Sequence, residues 1–120
     1  MTIYKNILDS IEESYNETLK TTTDDGIDVS VTLSQCLCTI SLASDLNVDV
    51  SSRAKNIEDL LNAGQSLARY SVKKNKFILD TTMWVEVRPT KTSLNEILNV
   101  TLAQYNANKL MIEGGVLNEW

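Results

Sequence analysis

The stretch that decides the fold is DDGIDVSVTLS, residues 24–34. Its first three residues, Asp24-Asp25-Gly26, have the composition of a turn. Beyond the turn, apolar and polar side chains alternate, which is typical of a strand with one buried face. The apolar positions are Ile27, Val29, Val31 and Leu33, and the polar ones are Asp28, Ser30, Thr32 and Ser34. The chain therefore contains a sheet.

The chain before this strand has a helical period instead. Apolar residues recur there at spacings of three and four, which predicts an amphipathic helix over residues 2–21 that ends in a run of threonines. The apolar positions are Ile3, Ile7, Leu8, Ile11, Tyr15 and Leu19, and the acidic residues between them include Asp9, Glu12, Glu13 and Glu17.

Residues 35–46 fit two patterns. A helix would place Leu33, Cys36, Leu37, Ile40 and Ala43 on one side, whereas a strand would place Cys36, Cys38, Ile40 and Leu42 on one face. The absence of a turn signal after the preceding strand favours the helix. The strand stays open as the alternative.

The helical period returns over residues 50–67, with Asp49 as a candidate N-cap and Gly64 as a weak point. A second alternating stretch follows, and it predicts either one strand or a hairpin that turns near residues 80–82, ended by Pro89. Its apolar positions are Phe77, Leu79, Met83, Val85 and Val87.

The last helix is marked at both ends. Ser93 and Glu96 have the spacing of a capping box, and Gly114 stands where a left-handed C-cap is expected. Its inward face is predicted to carry Leu94, Ile97, Leu98, Thr101, Leu102, Tyr105 and Ile112. The sequence thus predicts an α+β fold: a single small domain over residues 1–114, with amphipathic helices at both ends and a central helix packed on a small sheet. Residues 115–120 are predicted to be a short C-terminal tail.

Composition narrows the classes of function. The 120 residues suit one domain, and the net charge of -5 argues against a general affinity for nucleic acid or for an anionic membrane. The first residues lack the basic and apolar regions of a secretory signal, and no apolar run is long enough to span a bilayer. We therefore expect a cytoplasmic protein with no membrane contact.

The residues for catalysis or metal binding are sparse. The chain contains no histidine, so Ser–His–Asp and Cys–His mechanisms are excluded within it. Cys36 and Cys38 supply at most two of the four ligands of a closed zinc site. The two S-x-x-K matches, at Ser52 and Ser71, lack the motifs that accompany them in enzymes. We expect no enzymatic activity, no metal and no cofactor.

Two segments are candidates for binding a partner. Residues 69–76 carry four positive charges beside an aromatic ring, a combination that suits a nucleic-acid backbone or an acidic protein. Residues 115–120 carry apolar side chains and a terminal tryptophan, and tryptophan is frequent at interface hot spots. The candidate partner-binding residues are Arg69, Tyr70, Lys73, Lys74, Lys76, Val116, Leu117 and Trp120.

These features favour a non-catalytic assembly or structural subunit that works through protein–protein contacts with copies of itself or with other subunits. A bacteriophage virion component, such as a head–tail connector, neck or capsid accessory protein, is one form of this hypothesis. The alternative is a small acidic inhibitor or immunity protein, whose first helix would bind a basic surface of its target. Nucleic-acid binding through residues 69–76 is a weaker alternative, because the overall charge is acidic.

Overall fold

Five antiparallel strands form one sheet in the described part of the chain. The computed structural model describes residues 18–34, 37–63, 68–84 and 91–114. The strands are β1 (Thr18–Thr22), β2 (Asp28–Ser34), β3 (Leu37–Asp45), β4 (Ala68–Lys73) and β5 (Lys76–Trp84), in the spatial order β1-β2-β3-β5-β4. The helices are α1 (Ala54–Asn62), preceded by a 3₁₀ turn at Ser51–Arg53, and α2 (Lys91–Glu113). The α+β prediction is confirmed.

One face of the sheet is buried. Apolar residues from every strand share this face in register, for example Leu19, Val31 and Ile40 across three neighbouring strands. The fully buried members include Val29, Val31, Leu33, Cys38, Ile40, Leu42, Phe77 and Leu79. The helix α2 covers part of this face, and Ile57 of α1 completes the core at the β4 side.

The prediction that the first helix continues to residue 21 is wrong. Residues 18–22 are a strand, because β-branched threonines at positions 18, 21 and 22 favour extended backbone and the turn at residues 24–26 pairs them with β2. The side chain of Thr23 in that turn accepts the N–H of Ile27 at 3.1 Å. The rest of the predicted helix, residues 2–17, lies outside the described residues.

The helix favoured for residues 35–46 is also wrong. Residues 37–45 form β3, which pairs with β2 from Ser34 opposite Leu37 to Asp28 opposite Ala43. Leu37 and Ala43 lie on the open face of the sheet, so the alternation was blurred by apolar residues on both faces. The sequence between the paired residues Ser34 and Leu37 contains no glycine or proline, the residues that usually mark a turn.

The hairpin between β4 and β5 turns at Lys74 and Asn75, not near residues 80–82. Both residues have positive φ, 50° and 63°, as a two-residue type I′ turn requires. The strand β5 then continues unbroken through Asp80 and Thr82 to Trp84. Asparagine tolerates this left-handed backbone better than most residues.

The helix boundaries differ from the predicted ones at both ends of α1 and at the start of α2, whereas the end of α2 at Glu113 agrees with the predicted stop at Gly114. The predicted helix over residues 50–67 is shorter: α1 ends at Asn62, before Gly64, and the carboxylate of Asp49 accepts the N–H of Ser51 in the 3₁₀ turn at 3.0 Å. The helix α2 begins at Lys91, so Ser93 lies inside it and is not the N-cap. The N–H of Gly114 donates to the carbonyl of Leu110 at 2.8 Å, and Gly114 is not among the positive-φ residues of the described chain.

Candidate protein-binding surface

The inward side of α2 fixes the helix to the sheet. Leu94, Leu98, Tyr105 and Ile112 are buried, and their spacing places them on one side of the helix. The hydroxyl of Tyr105 donates to the carbonyl of Phe77 at 2.7 Å and lies 2.6 Å from the hydroxyl of Ser44. Because the single hydroxyl proton of Tyr105 goes to Phe77, Ser44 is the donor to Tyr105. These contacts set which side of α2 faces outward.

Next to this buried side, α2 carries a second line of residues that we call the α2 stripe. It consists of Ile97, Val100, Gln104, Ala107 and Met111, at alternating spacings of three and four. The average spacing of three and a half residues keeps them on one side of the helix and is the spacing of a helix–helix contact. The stripe is a pattern that helices use for packing against another element.

Much of the α2 stripe is exposed. Val100 is 68% exposed and Met111 37%, Gln104 and Ala107 are exposed, and Ile97 is half-buried. No charged residue occurs between Glu96 and Lys109. A solvent-facing helix surface normally carries charged side chains, whereas the centres of protein interfaces are depleted of them.

An apolar depression lies at the N-terminal end of the stripe. It has a volume of about 300 Å³ and is lined by Met83 from β5 and by Glu96, Ile97, Val100 and Thr101 from α2. The hydroxyl of Thr101 donates to the carbonyl of Ile97 at 2.7 Å, so its hydrogen-bonding capacity is directed at the helix backbone. The depression can therefore accept an apolar side chain from a partner.

The open face of the sheet is a second broad surface, and a row of hydroxyl groups crosses it. One threonine from each of four strands stands in a row, Thr18, Thr32, Thr39 and Thr82, each in register with the next. The hydroxyls pair with each other, at 2.8 Å between Thr18 and Thr32 and at 3.4 Å between Thr39 and Thr82. Satisfied hydroxyls provide less drive for docking than the apolar atoms of the α2 stripe.

The basic residues predicted to bind a partner lie at the β4–β5 hairpin. Arg69, Lys73, Lys74 and Lys76 are exposed. Asp80 stands opposite Arg69 in register, and Asp45 stands opposite Lys76. Since paired positions on one face are about 5 Å apart, these carboxylates offset part of the positive charge.

The predicted place of Tyr70 on this basic surface is wrong. Tyr70 is 3% exposed and lies on the buried face, between Arg69 and Ser71 on the open one. Its ring stacks on Phe77 with centroids 5.4 Å apart, and Phe77 stacks on Tyr105 at 4.9 Å. Burial raises the pKa of Tyr70, and its hydroxyl accepts from Asn108 at 2.8 Å. The ring is therefore committed to the core and not available to a base.

Val116, Leu117 and Trp120 of the tail lie outside the described residues, as do the acidic residues at positions 9, 12, 13 and 17. The sequence reasoning missed four residues of the α2 stripe, Val100, Gln104, Ala107 and Met111, whereas Ile97 was predicted on the inward face and is half-buried against the core. Their signal was present in the sequence, as an uncharged run over residues 97–108 with a second apolar line beside the inward one.

Within residues 18–34, 37–63, 68–84 and 91–114, no three Cys, Asp or Glu side chains come together as metal ligands. Cys38 is buried, and this burial raises the pKa of its thiol from 9.0 to about 11, so the reactive thiolate is scarce at neutral pH. Neither described helix has the length and hydropathy of a membrane span.

The comparison with known proteins identifies a similar fold but no family. No protein-family model and no curated protein matches the chain. Among solved structures, the chain is similar to YbjN from E. coli, a candidate transcription regulator, with a TM-score of 0.50 and 14% sequence identity. The match covers 96% of this chain and 90% of that chain. At this level of identity, the similarity shows a shared fold alone.

Proposed function

We propose that this protein is a non-catalytic binding subunit that docks onto other protein chains through the α2 stripe. The observation that carries the proposal is Val100, 68% exposed beside an apolar depression, on a helix surface without charge over residues 97–108. Burying the exposed part of a valine in a contact stabilises that contact by about 1 kcal/mol.

The depression supports the same proposal. Interface hot spots are well-packed pockets that receive one anchoring side chain and exclude water around it. The depression at Met83, Ile97 and Val100 has this form, because its floor is apolar and Thr101 directs its hydroxyl elsewhere. A partner that fills it would contact the stripe at the same time.

An assembly subunit of a larger particle, such as a bacteriophage virion, is the specific form of this function that the composition favours. A small acidic domain stays soluble through its charge, and an uncharged stripe such as residues 97–108 leaves one place where repeated subunits can meet. This form of the proposal predicts defined oligomers, with or without a second subunit.

Site-specific photo-crosslinking tests the proposal. A photoreactive amino acid replaces Val100 in the full chain, which is expressed in the organism that encodes it. We expect discrete covalent adducts with one or a few proteins, including another copy of the chain. The matched control places the same group at Lys55, an exposed residue of α1 that pairs with Asp59 and lies outside the stripe. Equal labelling at both positions, or no adduct at position 100, contradicts the proposal.

A further inference from the structure

We propose that one partner of the α2 stripe is a second copy of this chain: two α2 helices pack antiparallel, with Gln104 next to the two-fold axis. The inference rests on the proposed function, since it names the partner of the same surface. It follows from the spacing, size and charge of the stripe residues.

The stripe is self-complementary when the second helix runs in the opposite direction. Counted from Gln104, its other members lie at -7, -4, +3 and +7, a pattern that is symmetric to within one residue. An antiparallel two-fold pairing therefore places Val100 opposite the partner's Ala107, and Ile97 opposite the partner's Met111. A large side chain then faces a small one beside the axis, which lets the two helices approach closely.

The polar residue at the centre fits the same arrangement. Gln104 is exposed, and its amide both donates and accepts hydrogen bonds. Two such amides across the axis can bond each other. A single polar residue in an otherwise apolar seam fixes the register of a helix pair at some cost in stability.

Charge favours the antiparallel direction over the parallel one. Each copy carries a net charge of -5, so two copies repel each other at long range, and a neutral contact surface adds no short-range repulsion to this. The charged residue that flanks the stripe is Glu96, which also lines the depression. A parallel pair would place the two Glu96 carboxylates side by side, whereas the antiparallel pair separates them by about 24 Å along the axis, beyond the screening distance.

The depression receives a specific side chain in this dimer. The partner's Met111 lies opposite Ile97, at the opening lined by Met83 and Val100. Methionine is flexible and fills irregular apolar spaces well, and Met111 is already 37% exposed. In the symmetric dimer, the depression of each copy receives one methionine, Met111 of the other copy.

The size of the contact sets the expected affinity. The stripe spans residues 97–111, a length of about 21 Å. Such a contact is smaller than the usual interface of about 1,600 Å², so we expect a dissociation constant between about 1 and 100 µM.

The first experiment is sedimentation equilibrium on the full chain between about 5 and 500 µM. We expect a monomer–dimer equilibrium that Val100→Glu weakens by about 100-fold or more, because the carboxylate would be buried without a partner. The matched control is Asn99→Glu: Asn99 is exposed on the same helix, and it lies at least about 80° around the helix from every member of the α2 stripe. This control should leave the dimer unchanged, and the unfolding midpoint verifies that both variants fold.

Disulfide trapping tests the direction of the helices. On a Cys36→Ser, Cys38→Ala background, an equimolar mixture of the Val100→Cys and Ala107→Cys chains should form a mixed disulfide dimer. Val100→Cys by itself should form little, because the two copies of position 100 lie on opposite sides of the axis. Efficient self-linking of Val100→Cys would show a parallel pair and overturn the proposal.

Other outcomes also overturn it. A dimer that survives Val100→Glu, or one lost only when the chain is shortened to end at Gly114, places the contact elsewhere or in residues 115–120. A chain that stays monomeric throughout the range has no such dimer. If position 100 nevertheless crosslinks to a different protein, the proposed function stands while this inference fails.

Discussion

The side chain of Asn62 bonds both backbone groups of Tyr70. Its Oδ1 accepts the N–H of Tyr70 at 2.6 Å, and its Nδ2 donates to the carbonyl of Tyr70 at 2.8 Å. One turn earlier, Glu58 accepts the N–H of Val72 at 2.8 Å. Four helical residues rise about 6 Å and two strand residues about 6.7 Å, so α1 matches the spacing of the β4 edge. The helix thus occupies the hydrogen-bonding groups through which another strand would add to β4.

Replacing Asn62 by alanine should lower the free energy of unfolding by about 1–3 kcal/mol, because two hydrogen bonds are lost and the β4 edge is uncovered. The measurement is urea denaturation followed by circular dichroism. Asn56→Ala is the control, since Asn56 is exposed on the same helix and should change the free energy by less than about 0.5 kcal/mol. Equal effects of the two substitutions would show that α1 does not protect the edge.

Asn75 should be a stability determinant of the hairpin. Its side chain accepts from the N–H of Val50 at 2.9 Å and donates to the carbonyl of Val48 at 2.6 Å, so it ties the β3–α1 connection to the turn. Asn75→Gly keeps the left-handed backbone accessible and removes these bonds, and we expect a loss of about 2 kcal/mol.

Lys74→Gly is the matched substitution at the other turn position. Lys74 has φ of 50°, which costs a residue with a side chain about 1 kcal/mol, so glycine should not lower the free energy of unfolding. Denaturation midpoints of the two glycine variants are compared directly. A larger loss from Lys74→Gly than from Asn75→Gly would refute this account of the turn.

Stability should fall at alkaline pH through Tyr105 and Cys38. Burial raises the pKa of Tyr105 from 10.0 to about 12, and that of Cys38 from 9.0 to about 11. In each case the folded state holds its proton at a pH where the unfolded state releases it. The stabilisation is therefore complete below the unfolded pKa and is lost as the pH rises to the folded value.

The test compares urea midpoints at about pH 8 and about pH 10.5. The wild-type midpoint should fall between these values, and the fall should be smaller in Tyr105→Phe and in Cys38→Ala. Tyr105→Phe should also cost about 1–2 kcal/mol at pH 8, since Ser44 and Phe77 lose a partner. An undiminished fall in both variants would assign the pH dependence to other groups.

The basic hairpin should bind nucleic acid weakly. Asp45 and Asp80 stand among its cations, and Tyr70 is buried, so neither a strong positive field nor a stacking ring is present there. Fluorescence anisotropy with a labelled single-stranded oligonucleotide should show no saturable binding at about 200 mM salt. Tight binding that falls steeply with salt and disappears in the Lys73→Ala, Lys74→Ala, Lys76→Ala triple variant would restore the nucleic-acid hypothesis.

The sequence predicts elements well where one face is apolar and the other polar. The strand β2 meets this condition, since Val29 and Val31 are fully buried and Asp28 is exposed. The strand β3 does not, because Leu37 and Ala43 are apolar on the open face. The residues of β3 become a strand because they pair with β2 and β5, and the local sequence pattern carries no information about these pairings.

The candidate surface shows the same limit. Tyr70 was misplaced because the composition of residues 69–76 was considered without their alternation; Tyr70 shares the face of Val72, not that of Arg69. The α2 stripe was missed because the period of the last helix was matched to one inward face. Exposure of Val100 depends on how α2 lies on the sheet, and that follows from contacts such as Tyr105 with Ser44.

The strand order has a consequence for how the chain folds. Within the described sheet, the β1–β2, β2–β3 and β4–β5 pairs join neighbours in sequence, whereas β3 and β5 join residues as distant as Leu37 and Trp84. The two local units, β1–β2–β3 and β4–β5, can form early. Before β3 can pair with β5, the ends of the long segment that contains α1 must come together, and this loop closure costs entropy. We therefore expect this docking event to limit the folding rate, and we expect a shorter or stiffer connection between β3 and β4 to change the rate more than the stability.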